Sequence, residues 1–70
     1  MKTIRFTIDG EYIELIQLLK ATGIAQTGGH AKMIVDDGTV KRNGAIELRK
    51  RAKLIAGDKI EVEGVKIELA

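Results

Sequence analysis

The chain has 70 residues, with 12 Lys and Arg against 10 Asp and Glu, and it contains neither cysteine nor proline. So short a chain buries only roughly 60% of its unfolded surface and sustains one small core. With no Cys and with His30 as the single histidine, it offers no disulfide and no zinc ligand set.

Lys2 to Ile8 alternate, with Ile4, Phe6 and Ile8 on one face and Thr3, Arg5 and Thr7 on the other, the pattern of a half-buried strand. Asp9-Gly10 breaks it, and Asp9 is placed to cap a helix over Glu11 to Ala21. Tyr12, Leu15, Ile16 and Leu19 form the apolar stripe of that helix, and Gly23 suits the position just past its end. A second, shorter helix starts at Thr27 as N-cap and stops before Gly38, with Ala31, Ile34 and Val35 inward and Lys32 spaced to pair with Asp36. Met33 reads as a helix-flank contact. Gly28 and Gly29 in its first turn each weaken a helix by about 1 kcal/mol relative to Ala, so helix propensity does not account for them.

Strands follow. Val40 to Arg42 leads into Asn43-Gly44, a strong hairpin signal, and Ala45 to Leu48 continues as a strand or edge segment. Arg49 to Lys53 interrupts any apolar alternation and reads as a surface crossing, after which Leu54-Ile55 returns to the core. Lys59 to Glu63 and Val65 to Leu69 make a hairpin over Glu63-Gly64, which sets Val62 opposite Val65 and Ile60 opposite Ile67. The expected fold is α+β, with two adjacent helices on one face of a small, mainly antiparallel sheet. Leu15, Leu19, Ile34, Val40, Ile60 and Ile67 are the expected core.

The charge is unevenly placed. Between Gly38 and Lys53, six cations (Lys41, Arg42, Arg49, Lys50, Arg51, Lys53) meet one acid, Glu47, a local +5 in a chain of net charge +2. A solvated face normally mixes signs, so a polyanion with spaced phosphates is the natural partner. The peptide amides of Thr27, Gly28 and Gly29 offer a second place for a phosphate, with a flexible, capped helix start as the plainer alternative. His30 and Lys32 lie on the same helix, and Lys32 serves Asp36 as readily as an RNA. The catalytic inventory is poor: serine is absent, and Asp36 and Asp37 diverge by about 100° on a helix. A non-enzymatic protein without a cofactor is expected. Apolar runs of three residues at most and the absence of a leader-like N-terminus suggest a cytoplasmic protein that enters no membrane.

Leu15-x-x-x-Leu19-x-x-x-Gly23, then Thr27-x-x-x-Ala31-x-x-Ile34-Val35-x-x-Gly38-x-Val40-x-x-Asn43-Gly44, then Gly57-Asp58-x-Ile60, resembles the RNA-binding domain named after small-subunit ribosomal protein four. This αL RNA-binding motif covers about residues 11 to 63 of a single domain spanning 1–70. Leu18-Leu19-Lys20, Gln26-Thr27-Gly28-Gly29, Ala31-Lys32 and the Arg49 to Lys53 cluster are similar to the small stand-alone bacterial YbcJ/YaaA-like branch. The resemblance implies an RNA surface made from the start and face of the second helix (Thr27, Gly28, Gly29, His30, Lys32), the hairpin (Lys41, Arg42, Asn43) and the basic segment (Arg49, Lys50, Arg51, Lys53). The chain departs from the wider family at Glu14 and Ile16, where Arg and Asp are usual, at Thr27-Gly28 in place of Ser-Arg, and at Arg42, where an apolar residue is common. The expected partner is structured RNA, ribosomal or transfer, possessed by a monomer acting as a ribosome accessory factor. The alternatives are a protein-interaction module using a sheet edge and a ubiquitin-like sulfur carrier. The latter requires a Gly-Gly terminus, where this chain reads Glu68-Leu69-Ala70.

Overall fold

In the computed structural model, which describes residues 1–70, the elements run β1 (Lys2–Phe6), β2 (Ile13–Glu14), α1 (Leu15–Ala21), α2 (Gly28–Asp36), β3 (Lys41–Arg42), β4 (Ala45–Ile46), β5 (Lys53–Leu54), β6 (Lys59–Val62) and β7 (Val65–Leu69). The main sheet has the order β1-β7-β6-β3-β4, and β2 pairs with β5 in a separate two-stranded ribbon. All main-sheet pairs are antiparallel except β1 with β7, so the sheet is mixed, with its one parallel pair at the edge. No helix is long and apolar enough to cross a membrane.

Both hairpin turns have two residues with positive φ, Asn43 at 52° with Gly44 at 89° and Glu63 at 50° with Gly64 at 74°. That geometry matches the twist of the strands it joins, and glycine enters it at no steric cost. The resulting register sets Val62 against Val65 and Ile60 against Ile67. Because strand residues alternate, one face carries Ile4, Ile67, Ile60 and Arg42 in a row and the other Thr3, Lys66, Glu61 and Lys41. The first face is closed by Leu15, Leu18 and Leu19 of α1 and Ala31, Ile34 and Val35 of α2, which join Val40, Leu54, Ile60 and Ile67 in one buried cluster. The six expected core residues are all in it.

The first helix differs from expectation. It begins at Leu15, and Asp9 does not cap it. Residues before Leu15 run extended because Ile13 and Glu14 pair with Leu54 and Lys53. The unpaired amides of the first turn are met instead by loop carbonyls: Leu15 N–H donates to Ala52 O at 3.0 Å and Ile16 N–H to Lys50 O at 3.2 Å. Tyr12 is therefore outside the helix and exposed. Ile55 is exposed too, since it follows Leu54 in an extended segment and alternation turns it outward.

The second helix begins as expected. Thr27 Oγ1 accepts the His30 amide at 3.0 Å, the bond of a Thr N-cap. Lys32 makes no pair with Asp36, whose carboxylate is taken at 3.1 Å by Lys50. An acid in the last turn opposes the negative end of the helix dipole, and a cation delivered there offsets it. Met33 stands exposed rather than packed against a flank.

Leu19 is fully buried between the helices and the sheet. Leu19→Ala should lower stability by about 2–5 kcal/mol in urea denaturation, the cost of the lost transfer energy plus the residual cavity.

Candidate nucleic-acid interface

The six cations of the 38–53 stretch do not form one surface. Lys41 and Arg42 are consecutive in β3 and project to opposite faces of the sheet, Lys41 to the face that no helix covers. Arg42 lies on the helix side. Its Nη2 donates to Asp58 Oδ2 at 2.8 Å and to the Lys53 carbonyl at 3.0 Å, and its Nη1 lies 3.7 Å from Glu47 Oε1.

Asp58 is the centre of a second set of bonds. Its Oδ2 also accepts the Ile55 amide at 2.9 Å, and its Oδ1 accepts Asn43 Nδ2 at 3.0 Å. Asn43 Oδ1 in turn accepts the Lys59 amide at 2.9 Å. Burial disfavours the charge on Asp58, but the Ile55 amide, Asn43 and Arg42 outweigh it and hold the carboxyl below its ordinary value. Arg42 and Asn43, expected on the RNA surface, thus have structural bonds that tie the Asn43-Gly44 turn to the start of β6 and to the basic segment.

Glu47 makes a parallel arrangement. Its carboxylate takes Arg49 Nη2 at 2.9 Å, Arg49 Nε at 3.0 Å and the Arg49 amide at 3.2 Å. The hydrogen bond from the Arg49 side chain is the main cause that brings the Glu47 carboxyl from an ordinary 4.5 to about 2; burial opposes it, while the Arg49 amide and the charges of Arg49 and Arg42 assist. The Glu47 side chain is only 10% exposed whereas that of Arg49 is 74% exposed. The acid therefore orients a solvent-facing arginine, using two of its nitrogens on one side and leaving Nη1 free.

Arg42, Arg49, Arg51, Ala52 and Lys53 line an open cleft of about 460 Å³. Three of its cations, Arg49, Arg51 and Lys53, sit in the segment that also docks by its carbonyls on the start of α1. Arg51 and Lys53 make no ion pair, and Lys53 instead rests its ammonium 4.9 Å from the centre of the Tyr12 ring.

The start of α2 is elsewhere. Lys50 meets Asp36, the last residue of α2. The Lys50 ammonium is thus at the far end of a nine-residue helix, about 12 Å along its axis from Gly28. Neither Gly28 nor Gly29 is required by packing, since an added Cβ meets nothing closer than Thr27 Oγ1 at 3.9 Å. His30 closes the helix start locally: besides its amide bond to Thr27, its Nδ1 accepts the Gln26 amide at 3.3 Å. Lys32 is exposed and unpaired.

Comparison with known proteins settles the family. The S4 domain family matches residues 6–70. The chain belongs to the S4 domain family. It is 38% identical over 58 residues to "Putative RNA-binding protein YbcJ" of Escherichia coli (strain K12), covering 83% of each chain. It is 40% identical over 58 residues to "Probable ribosome maturation protein RlbA" of Bacillus subtilis (strain 168), covering 83% of this chain and 82% of that one. The solution structure of E. coli YbcJ, described as having an αL motif involved in RNA binding, superimposes with a TM-score of 0.70 at 34% identity, over 100% of this chain and 87% of that one.

Within this S4 domain, Glu47 and Asp58 hold arginines in place, a role that their positions in the sequence did not announce. Each is buried, and each positions an arginine. The available signal was a lone acid, Glu47, inside a basic run, since an isolated carboxylate among cations is seldom left unpaired.

The Glu47 carboxyl is lowered in the folded state, so the stability it contributes is complete above about pH 5 and is lost as the pH falls towards 2. We expect the unfolding free energy, measured with denaturant, to decline by on the order of 1–2 kcal/mol over that interval from this group, water screening of the exposed Arg49 keeping the figure low. Glu47→Gln should flatten the acid dependence. An unchanged dependence in that variant would place the titrating group elsewhere.

Proposed function

We propose that this protein binds structured RNA, with ribosomal or transfer RNA as its target, through the cleft between Arg49 and Lys53. The observation that carries this reading is a cleft lined by four cationic side chains and one alanine, with no acid among its walls. Membership of the S4 domain family and the names of the relatives support it. Arg51 and Lys53 supply free charge to phosphates, and Arg49 presents a guanidinium edge already oriented by Glu47. Pre-ordering that side chain reduces the entropy lost when it closes on a ligand. Lys50 joins them when it leaves Asp36, an exposed ion pair of little strength. Arg42 and Asn43 act from behind by fixing the wall of the cleft.

The amides of Thr27, Gly28 and Gly29 form a second anchor at the other end of α2, with His30 and Lys32 beside it. An RNA strand lying along α2 reaches both. The domain acts in the cytoplasm as a monomer, an accessory to the ribosome.

A protein-interaction role draws on a different surface. β4 is an edge strand, and Ile46 in it and Leu48 two residues beyond are exposed. Partner binding on that edge would survive high salt, whereas binding to phosphates is weakened by it.

Two to three phosphate contacts in the cleft give an expected loss of about 2–3 units of log affinity per decade of salt for duplex RNA, at roughly 0.9 per contact. Replacing Arg51 and Lys53 together by Ala should flatten that slope by about 1–2 units without unfolding the domain. Lys41→Ala, on the opposite face of the sheet, should leave it unchanged. Filter binding of a hairpin RNA at several salt concentrations measures all three. Equal slopes in all variants, or no binding at low salt, would overturn the proposal.

A further inference from the structure

The chain has one Tyr, one Phe and no Trp, and Phe6 packs against the core, so Tyr12 is the one exposed ring among these residue types. It does not lie at random on the surface. In the β2–β5 ribbon Glu14 pairs with Lys53, and alternation puts Tyr12 on the same outward face as Glu14, diagonal to Lys53. Lys53 has Glu14 as its cross-strand partner but makes no ion pair with it. Its ammonium lies over the Tyr12 ring, 4.9 Å from the centre, and the same side chain lines the basic cleft. An exposed aromatic ring, 42% accessible, thus stands at the rim of a cluster of cations.

Resting on the RNA-binding reading above, we propose that Tyr12 and the adjoining cleft form a site for one unpaired nucleotide of a folded RNA. The base stacks on the Tyr12 ring, and its phosphate is held by Lys53 and Arg51. The ring face is held by a cation, and a cation over a ring is exchangeable with a base, since both are drawn to the π-system. As the base displaces the ammonium, Lys53 is released towards the phosphate that arrives with it. One aromatic ring beside the cleft stacks one base and gives no track for a long single strand, which suits a bulged or flipped nucleotide within a duplex. β2 and β5 are already held in register by their antiparallel pairing, so the platform does not need to order when the base arrives.

The test uses the full chain and two hairpin RNAs of the same length and charge. Each has one bulged position, which carries a base in one RNA and is abasic in the other. The base-bearing hairpin should bind about 5- to 150-fold more tightly, the range that stacking on one aromatic supplies. The ring protons of Tyr12, the only tyrosine, should shift upfield in the NMR spectrum with that RNA and not with the abasic one. Tyr12→Leu should bring the affinity ratio close to one, and Tyr12→Phe should preserve it. A ratio near one in the parent protein, or a ratio that survives Tyr12→Leu in a folded variant, overturns the stacking site and leaves RNA binding standing. Failure to bind either hairpin at low salt overturns both.

Discussion

A carboxylate buried at the junction of three segments, Asp58, decides how this small domain is joined. A charge taken from water is costly unless donors surround it. Asp58 finds them in the Arg42 guanidinium, the Asn43 amide group and the Ile55 backbone N–H. Those donors come from the hairpin on one side and, on the other, from Ile55, just beyond the β5 strand in which the basic segment ends. Satisfying one acid therefore fixes the edge of the sheet against the chain that carries the exposed cations. The Asn43-Gly44 turn and the Gly57-Asp58 pair, far apart in sequence, are parts of one device.

The same requirement divides the basic residues by role. A raw charge of +5 in one stretch suggests a uniform patch, yet Arg42 is committed to Asp58 and Glu47, Arg49 is shared between Glu47 and solvent, and Lys50 sits on Asp36. Only Arg51 and Lys53 face the cleft without a carboxylate partner. Glu47 lowers the net charge of the region but gives Arg49 a fixed direction, and for recognising phosphate geometry a directed fork is worth more than a mobile one. Binding strength and rigidity are traded against each other within a few residues.

Much of the fold was legible because its signals are local. Asn43-Gly44 and Glu63-Gly64 specify two-residue turns, and a turn of known length fixes the pairing of Ile60 with Ile67 and Val62 with Val65. Thr27 and the 31/34/35 stripe define α2 in the same way. What was not legible depends on distant partners. Ile13-Glu14 is too short to announce a strand, and only Leu54 and Lys53, some 40 positions on, make it one. The start of α1 followed from that, because carbonyls of Lys50 and Ala52 replaced the side-chain cap expected from Asp9. Tyr12, at helical spacing from Ile16 and Leu19, fitted a buried stripe equally well until the ribbon turned it outward. For the site, alternation already separates Lys41 from Arg42, whereas the distance between the glycine pair and the basic segment needed the Lys50–Asp36 contact to become visible.

The basic cleft, and not the charged outer face of the sheet, is the surface proposed to meet RNA. Amide chemical-shift mapping of the isotope-labelled protein, titrated with a hairpin RNA, tests this most directly. The largest changes should fall on residues 49–53, with a second group at residues 27–30, while Lys41, Glu61 and Lys66 on the uncovered face stay in place. Changes centred on that uncovered face, or spread evenly over all lysines and arginines, would contradict it.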